Sequence, residues 1–232
     1  MSASASLNIS LAQVTRATLT KDLRLEWRSK DATNAMLFFA LLVVVIFSFA
    51  FDPNAEEARQ IAGGLVWMAF LFSSSMALNQ SWARELQQHV LDGFRASPAP
   101  PNALFLGKAI GNFIFVALLE LIVAPLFLVF FNLRIVGSAT QFVIVMLLGT
   151  WAIVGNGAFF AAMSLRTRNR ELMLPLLLFP ITIPALIVMV QATTGTLSGA
   201  GDAGFGIRFL AVYNIVFTTV ALLLFEKVLN AE

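Results

Sequence analysis

Six long apolar runs joined by short polar segments decide what this chain can be. They fall at about 34–51, 61–81, 104–131, 141–165, 172–193 and 207–225, and each reaches or approaches the ~20 residues that cross a bilayer as a helix. Hydrocarbon offers no partner to a backbone N–H or C=O, so runs of this length must close their hydrogen bonds internally. Hydrophobic residues make up 59% of the 232, above the ~45 to 50% of a soluble domain, and mean hydropathy is +0.83. The expected fold is all-α and integral to the membrane: one transmembrane domain over residues 1–232 with six spans. No apolar signal segment precedes the first span, which is expected to direct insertion itself.

The polar joints carry the rest of the information. Before the first span, Leu19, Leu23 and Trp27 share one helical stripe and Lys21, Arg24 and Arg28 lie away from it, the pattern of an amphipathic interfacial helix, here at about 11–32. The longest polar insert, Trp82 to Lys108, reads in its first half as a short amphipathic helix, with Trp82, Leu86, Val90 and Phe94 at four-residue spacing. Pro98, Pro100 and Pro101 end it and turn the chain before it re-enters the membrane near Leu104. With the N-terminus inside, all of the 15 basic residues except Arg59, Arg134 and Arg208 fall on the inner side. The positive-inside rule then places both termini and the 82–108 insert in the cytoplasm. The insert is either a coupling surface for something outside the lipid or a plain loop resting on headgroups.

Within the spans, three features stand out. Gly149, Ala152, Gly155, Gly157, Ala158, Ala161 and Ala162 give the fourth span a small-residue surface for close helix packing. Pro175, Pro180 and Pro184 predict a kinked or partly broken fifth span. Glu120 sits near the middle of the third span, where a charged acid costs ~2.5 to 3.5 kcal/mol, so it is a site candidate. The alternative is a structural carboxyl partnered by Asn112, Asn156 or Asn214, and Asn112 and Asn156 join Glu120 as intramembrane polar candidates.

No catalytic constellation accompanies these features. There is no H-E-x-x-H, no G-x-S-x-G and no G-x-x-x-x-G-K-[ST], so the chain is not expected to be an enzyme, and ATP energy would have to reach it through another subunit. Cysteine is absent and the only histidine is His89, which leaves no set of metal ligands. A net charge of +2 gives no reason to expect nucleic acid.

Three stretches together resemble a known family. They are Lys21-Asp22-Leu23-Arg24-Leu25-Glu26-Trp27-Arg28, the segment from Ser97-Pro98 through Leu106-Gly107-Lys108 and Asn112 to Glu120 and Pro125-Leu126-Phe127, and Arg166 to Glu171 followed by Leu174 to Pro180. In this order, with six spans, they resemble CcmB, the permease subunit of the cytochrome c maturation haem-export system, of the ATP-binding-cassette class. The resemblance implies an ABC-2-like exporter permease in the bacterial inner membrane. It implies partners as well: a cytoplasmic ATPase, a polytopic haem-handling subunit, a small single-span subunit, a haem chaperone reached indirectly, and a second copy of the chain. Residues Glu85, Leu86, His89, Val90, Asp92, Gly93, Phe94 and Arg95 would then form the coupling segment, with His89 standing where a glycine is expected. A permease exporting a lipid, polysaccharide or drug, or a non-transporting scaffold, are the competing readings. No cofactor is expected: haem needs His, Cys, Met or Tyr as axial ligand, and the expected outer loops 52–60, 132–140 and 194–206 contain none.

Overall fold

The computed structural model describes residues 10–51, 56–165, 167–199 and 203–230. Residues 1–9, Asp52 to Ala55 of the expected first outer loop, Arg166 of the resembling stretch, 200–202 and 231–232 lie outside the described residues. Eight helices follow in order: α1 (Leu11–Ser29), α2 (Asp31–Ala50), α3 (Glu56–Gln87), α4 (Val90–Arg95), α5 (Pro101–Phe130), α6 (Ala139–Ser164), α7 (Arg170–Ser198) and α8 (Gly204–Asn230). No strand occurs among the described residues. Six of the helices, α2, α3, α5, α6, α7 and α8, are long and apolar enough to cross a membrane.

The small-residue pattern decides which helices lie inside the bundle. In α3 and α6, 72% of the apolar window is buried, against a third or less in the other four spans. Gly149 on α6 lies beneath the Trp67 ring of α3 and the sulfur of Met189 on α7, and a Cβ there would overlap the ring. Trp67 is thereby fully enclosed, and its indole N–H donates to Thr193 Oγ1 of α7 at 2.9 Å. Lipid tails are as apolar as the side chains they would replace, so close packing and such interhelical bonds hold the bundle together. The outward faces carry Phe38, Phe49, Leu121, Val129, Leu172 and Leu223, as a lipid-facing surface requires.

Two expectations are corrected. Of the kinked or partly broken fifth span, the break is absent: α7 runs as one helix through Pro175, Pro180 and Pro184. Each proline removes one N–H, and the surrounding helices α6, α3 and α8 hold the segment. Tyr213 of α8 donates to Ile181 O at 2.9 Å, just ahead of Pro184, and receives Asn156 Nδ2 of α6 at the same distance. The expected stripe Trp82, Leu86, Val90, Phe94 is also not one face. Helix α3 continues to Gln87, and His89 then takes a left-handed conformation, φ 53°, which resets the helical phase before α4. Trp82 is buried against Phe225, Leu86 is exposed, and Leu91 is the residue that α4 buries.

Candidate functional site

The site forms where α1 folds back across the ends of α3 and α5. Helix α1 starts on a capping box, in which Ser10 Oγ accepts from Gln13 N and the Gln13 side chain answers to Ser10 N. At its other end Lys30, φ 56°, closes α1 and opens α2. The helix turns a polar face inward: Thr18, Asp22 and Glu26, at four-residue spacing, are its buried residues, while Trp27 is 76% exposed. Close approach to α5 is possible because Gly107 faces Thr18 and Gly111 faces Leu19 and Asp22.

An inward acidic face needs cations, and α3 and α5 supply them. Lys108, in the second turn of α5 and only 2% exposed, places Nζ 2.5 Å from Glu85 Oε1 of α3 and 3.0 Å from Asp22 Oδ2 of α1. It also donates to Ser81 O at 3.1 Å and lies over the Trp82 ring. Lys21 bridges Glu85 and Asp22 from the solvent side. One turn away Arg84 pairs with Glu26 at 2.6 Å. Three acids thus meet three bases in two adjoining, charge-balanced groups, the condition under which charges can be buried at all.

Glu26 has a second task. Its Oε1 accepts from Thr33 N at 2.8 Å and Thr33 Oγ1 at 3.0 Å, so a side chain of α1 caps the first turn of α2, where a helix dipole favours negative charge. Burial raises the Glu26 pKa, but the Arg84 hydrogen bond and charge, together with the Thr33 bonds, outweigh it and leave the group below its ordinary 4.5.

The residues singled out from sequence are distributed unevenly around this patch. Glu85 points into it and is not presented outside; Leu86, His89, Asp92, Gly93 and Arg95 are exposed, and Val90 and Phe94 half-buried. Arg95 donates through Nε to Leu229 O at 2.8 Å, tying α4 to the end of α8. Asn112 belongs to the patch, donating to Lys108 O at 2.8 Å and Ser81 Oγ at 3.3 Å. Glu120 and Asn156 do not. Glu120 is bonded to the Thr150 hydroxyl of α6, and Asn156 to Tyr213; neither Asn112 nor Asn156 is a partner of Glu120. Sequence reasoning missed Lys108, Asp22, Glu26 and Arg84 as parts of a site. The available signal was the i, i+4 acid pair on α1 and a lysine inside the apolar run that opens α5.

The sequence matches the family described as CcmB protein over residues 13–230, from α1 to the end of α8. The chain belongs to the CcmB family. Among relatives, the Heme exporter protein B of Rhodobacter capsulatus is 30% identical over 91% of this chain and 95% of its own length. That of Paracoccus denitrificans is 31% identical over 89% and 93%, and that of Pseudomonas aeruginosa 28% over 80% and 83%. This CcmB-family chain is therefore a multi-pass bacterial membrane protein of a transport family, and the match takes in every helix that builds the ion patch.

Proposed function

We propose that the chain is the permease subunit of an ATP-binding-cassette exporter serving haem export in cytochrome c maturation, driven by ATP hydrolysis in a separate cytoplasmic subunit. The observation that carries the reading is the Lys108, Glu85 and Asp22 cluster. Helix α3 runs from the bundle interior straight into the exposed turn and α4, and the cluster rivets that end of α3 to α1 and α5. A push on α4 is transmitted to three helices at once, because packed elements with paired charges move as bodies. In this reading α4 and the turn before it are the ATPase-docking surface, with Leu86, His89, Asp92 and Gly93 outward and Glu85 as the internal anchor, and both termini lie on the same cytoplasmic side.

The haem-handling subunit, the single-span subunit and the chaperone belong to this proposal through the family. A second copy of the chain is supported by the α3–α7 face, where Asn79, Gln80, Arg170 and Glu171 line an open cleft beside Phe72 and Met76. The cleft sets these polar groups beside apolar side chains at the ends of two spans, the mixed surface that a protein partner covers. The docking reading is tested by substituting Leu86 and His89 with serine and Asp92 with lysine and co-purifying the ATPase. Loss of the ATPase with normal membrane insertion is expected; undiminished association overturns it.

A further inference from the structure

We infer that the outward face of α1 is a basic surface that binds the headgroups of anionic phospholipids. The inference starts from how the ion patch sorts charge. The only acids of α1, Asp22 and Glu26, are turned inward and taken by Lys108 and Arg84. The outward face is left with bases alone. Arg16, Arg24 and Arg28 are exposed and form no ion pair with any other described residue. With Thr20 they stand at successive four-residue steps, so they form one ridge, and with Lys21 and Leu25 they line one shallow, open stretch of the helix surface.

Three guanidinium groups on a single ridge, paired with no acid among the described residues, match phosphate diesters, which arginine grips with paired N–H donors. The apolar neighbours commit the site to a lipid. Trp27, 76% exposed, adjoins Arg24 three residues away, and an indole beside cationic side chains is the side-chain pair that settles at a membrane–water boundary. Directly beyond the Lys30 turn, α2 enters as a span with Phe38 exposed. The headgroup layer therefore lies level with the ridge, and basic segments at that depth are drawn to anionic lipid. The charge sorting holds whichever leaflet α1 occupies, so the inference does not depend on the proposed orientation or on transport.

The full chain in nanodiscs provides the test. Trp67 and Trp82 are enclosed and Trp151 is half-buried within a span, so the part of the quenching by an acyl-brominated lipid that W27F removes reports on Trp27. At equal mole fraction in phosphatidylcholine discs, brominated phosphatidylglycerol should quench Trp27 fluorescence more strongly than brominated phosphatidylcholine. The excess should vanish in W27F and in the triple variant R16Q/R24Q/R28Q, whose helical content should be unchanged because none of the three arginines holds the fold. Lipid titration should show apparent affinity falling at least about tenfold in the triple variant. Equal quenching by the two lipids overturns the inference, as does an excess that survives either variant. Inorganic phosphate alone abolishing the excess would identify a soluble-anion site, and loss of the excess on binding a protein partner would assign the face to that partner; either result overturns it as well.

Discussion

Lys108 Nζ lies 2.5 Å from Glu85 Oε1 with both side chains only 2% exposed, so neither charge has an alternative to the other and its immediate neighbours. Removing one partner of such a pair strands the other, at a cost of about 3 to 5 kcal/mol, whereas removing both relieves much of the penalty. Lys108→Met should therefore unfold at clearly lower denaturant than the parent, and Lys108→Met with Glu85→Gln should recover a substantial part of the loss. Reversible unfolding of the purified chain in detergent measures both. A double variant no more stable than the single one would show that the two residues are not energetically coupled.

Contact between α1 and α5 rests on the missing side chain at Gly107. A Cβ there would come within 2.6 Å of Thr18 Cβ and 3.1 Å of Thr15 O, a backbone atom that cannot swing aside. Gly107→Ala should push α1 outward and cost about 1 to 3 kcal/mol, the range for overpacking. Gly93, in α4, has nothing within 4 Å of the same ideal position, so Gly93→Ala is the matched control and should be near neutral. The chain contains no cysteine, which permits a clean readout: an engineered cysteine pair at Leu19 and Gly111 should cross-link readily in the parent background and slowly with Gly107→Ala.

Acid should release α1 from α2. The Glu26 carboxyl has a folded pKa below its ordinary 4.5, so the stability it contributes is fully present above about that value and is lost as pH falls through the lower, folded one. Titration from neutral pH should leave α1 docked until pH drops below 4.5, then loosen it. Protease cleavage near Lys30 is a suitable measure. In Glu26→Gln, which keeps an acceptor for Thr33 but cannot be a charged partner to Arg84, cleavage should already be faster at neutral pH and should vary less on acidification. A parent-like pH profile in that variant would place the titrating group elsewhere.

The spans and the helix before them were legible because both are periodic: a run of about 20 apolar residues has one meaning in a bilayer, and Leu19, Leu23 and Trp27 recurring at four-residue spacing among bases mark a helix. What the pattern could not reveal was which polar side of α1 faces the protein. The outcome depends on α1 folding back over Gly107 and Gly111, two glycines distant in sequence, and the acids Asp22 and Glu26 acquire meaning only once Lys108 and Arg84 are set opposite them. Helix α4 escaped for a different reason. The phase break is made by His89 at positive φ; histidine is among the few non-glycine residues enriched there, and it stands where the resemblance leads one to expect a glycine, but the hydrophobic spacing on either side does not register the break. Three prolines in α7 suggested a kink or a partial break, and the break is absent because tertiary packing outweighs intrinsic propensity inside a bundle.

Glu120 is the remaining intramembrane acid, and its geometry bears on its protonation. The Thr150 hydroxyl stands between the Glu120 carboxyl and Met146 O, which is 2.8 Å away. A hydroxyl has one hydrogen, so it cannot donate to both. If the Thr150 hydrogen goes to Met146 O, the set is complete only when the carboxyl carries a proton and donates it to Thr150. A neutral acid also escapes the cost of a charge among α5 and α6 side chains. Glu120→Gln keeps a donor in nearly the same place and should be mild in haem-pathway output, while Glu120→Leu removes the polar link between α5 and α6 and should abolish most of it. Infrared difference spectroscopy between parent and Glu120→Gln should show a protonated carboxylic C=O band belonging to the parent at neutral pH. A carboxylate band in its place would mean that Thr150 donates to a charged group and leaves Met146 O to the helix alone, and normal output from both variants would reduce Glu120 to a packing residue.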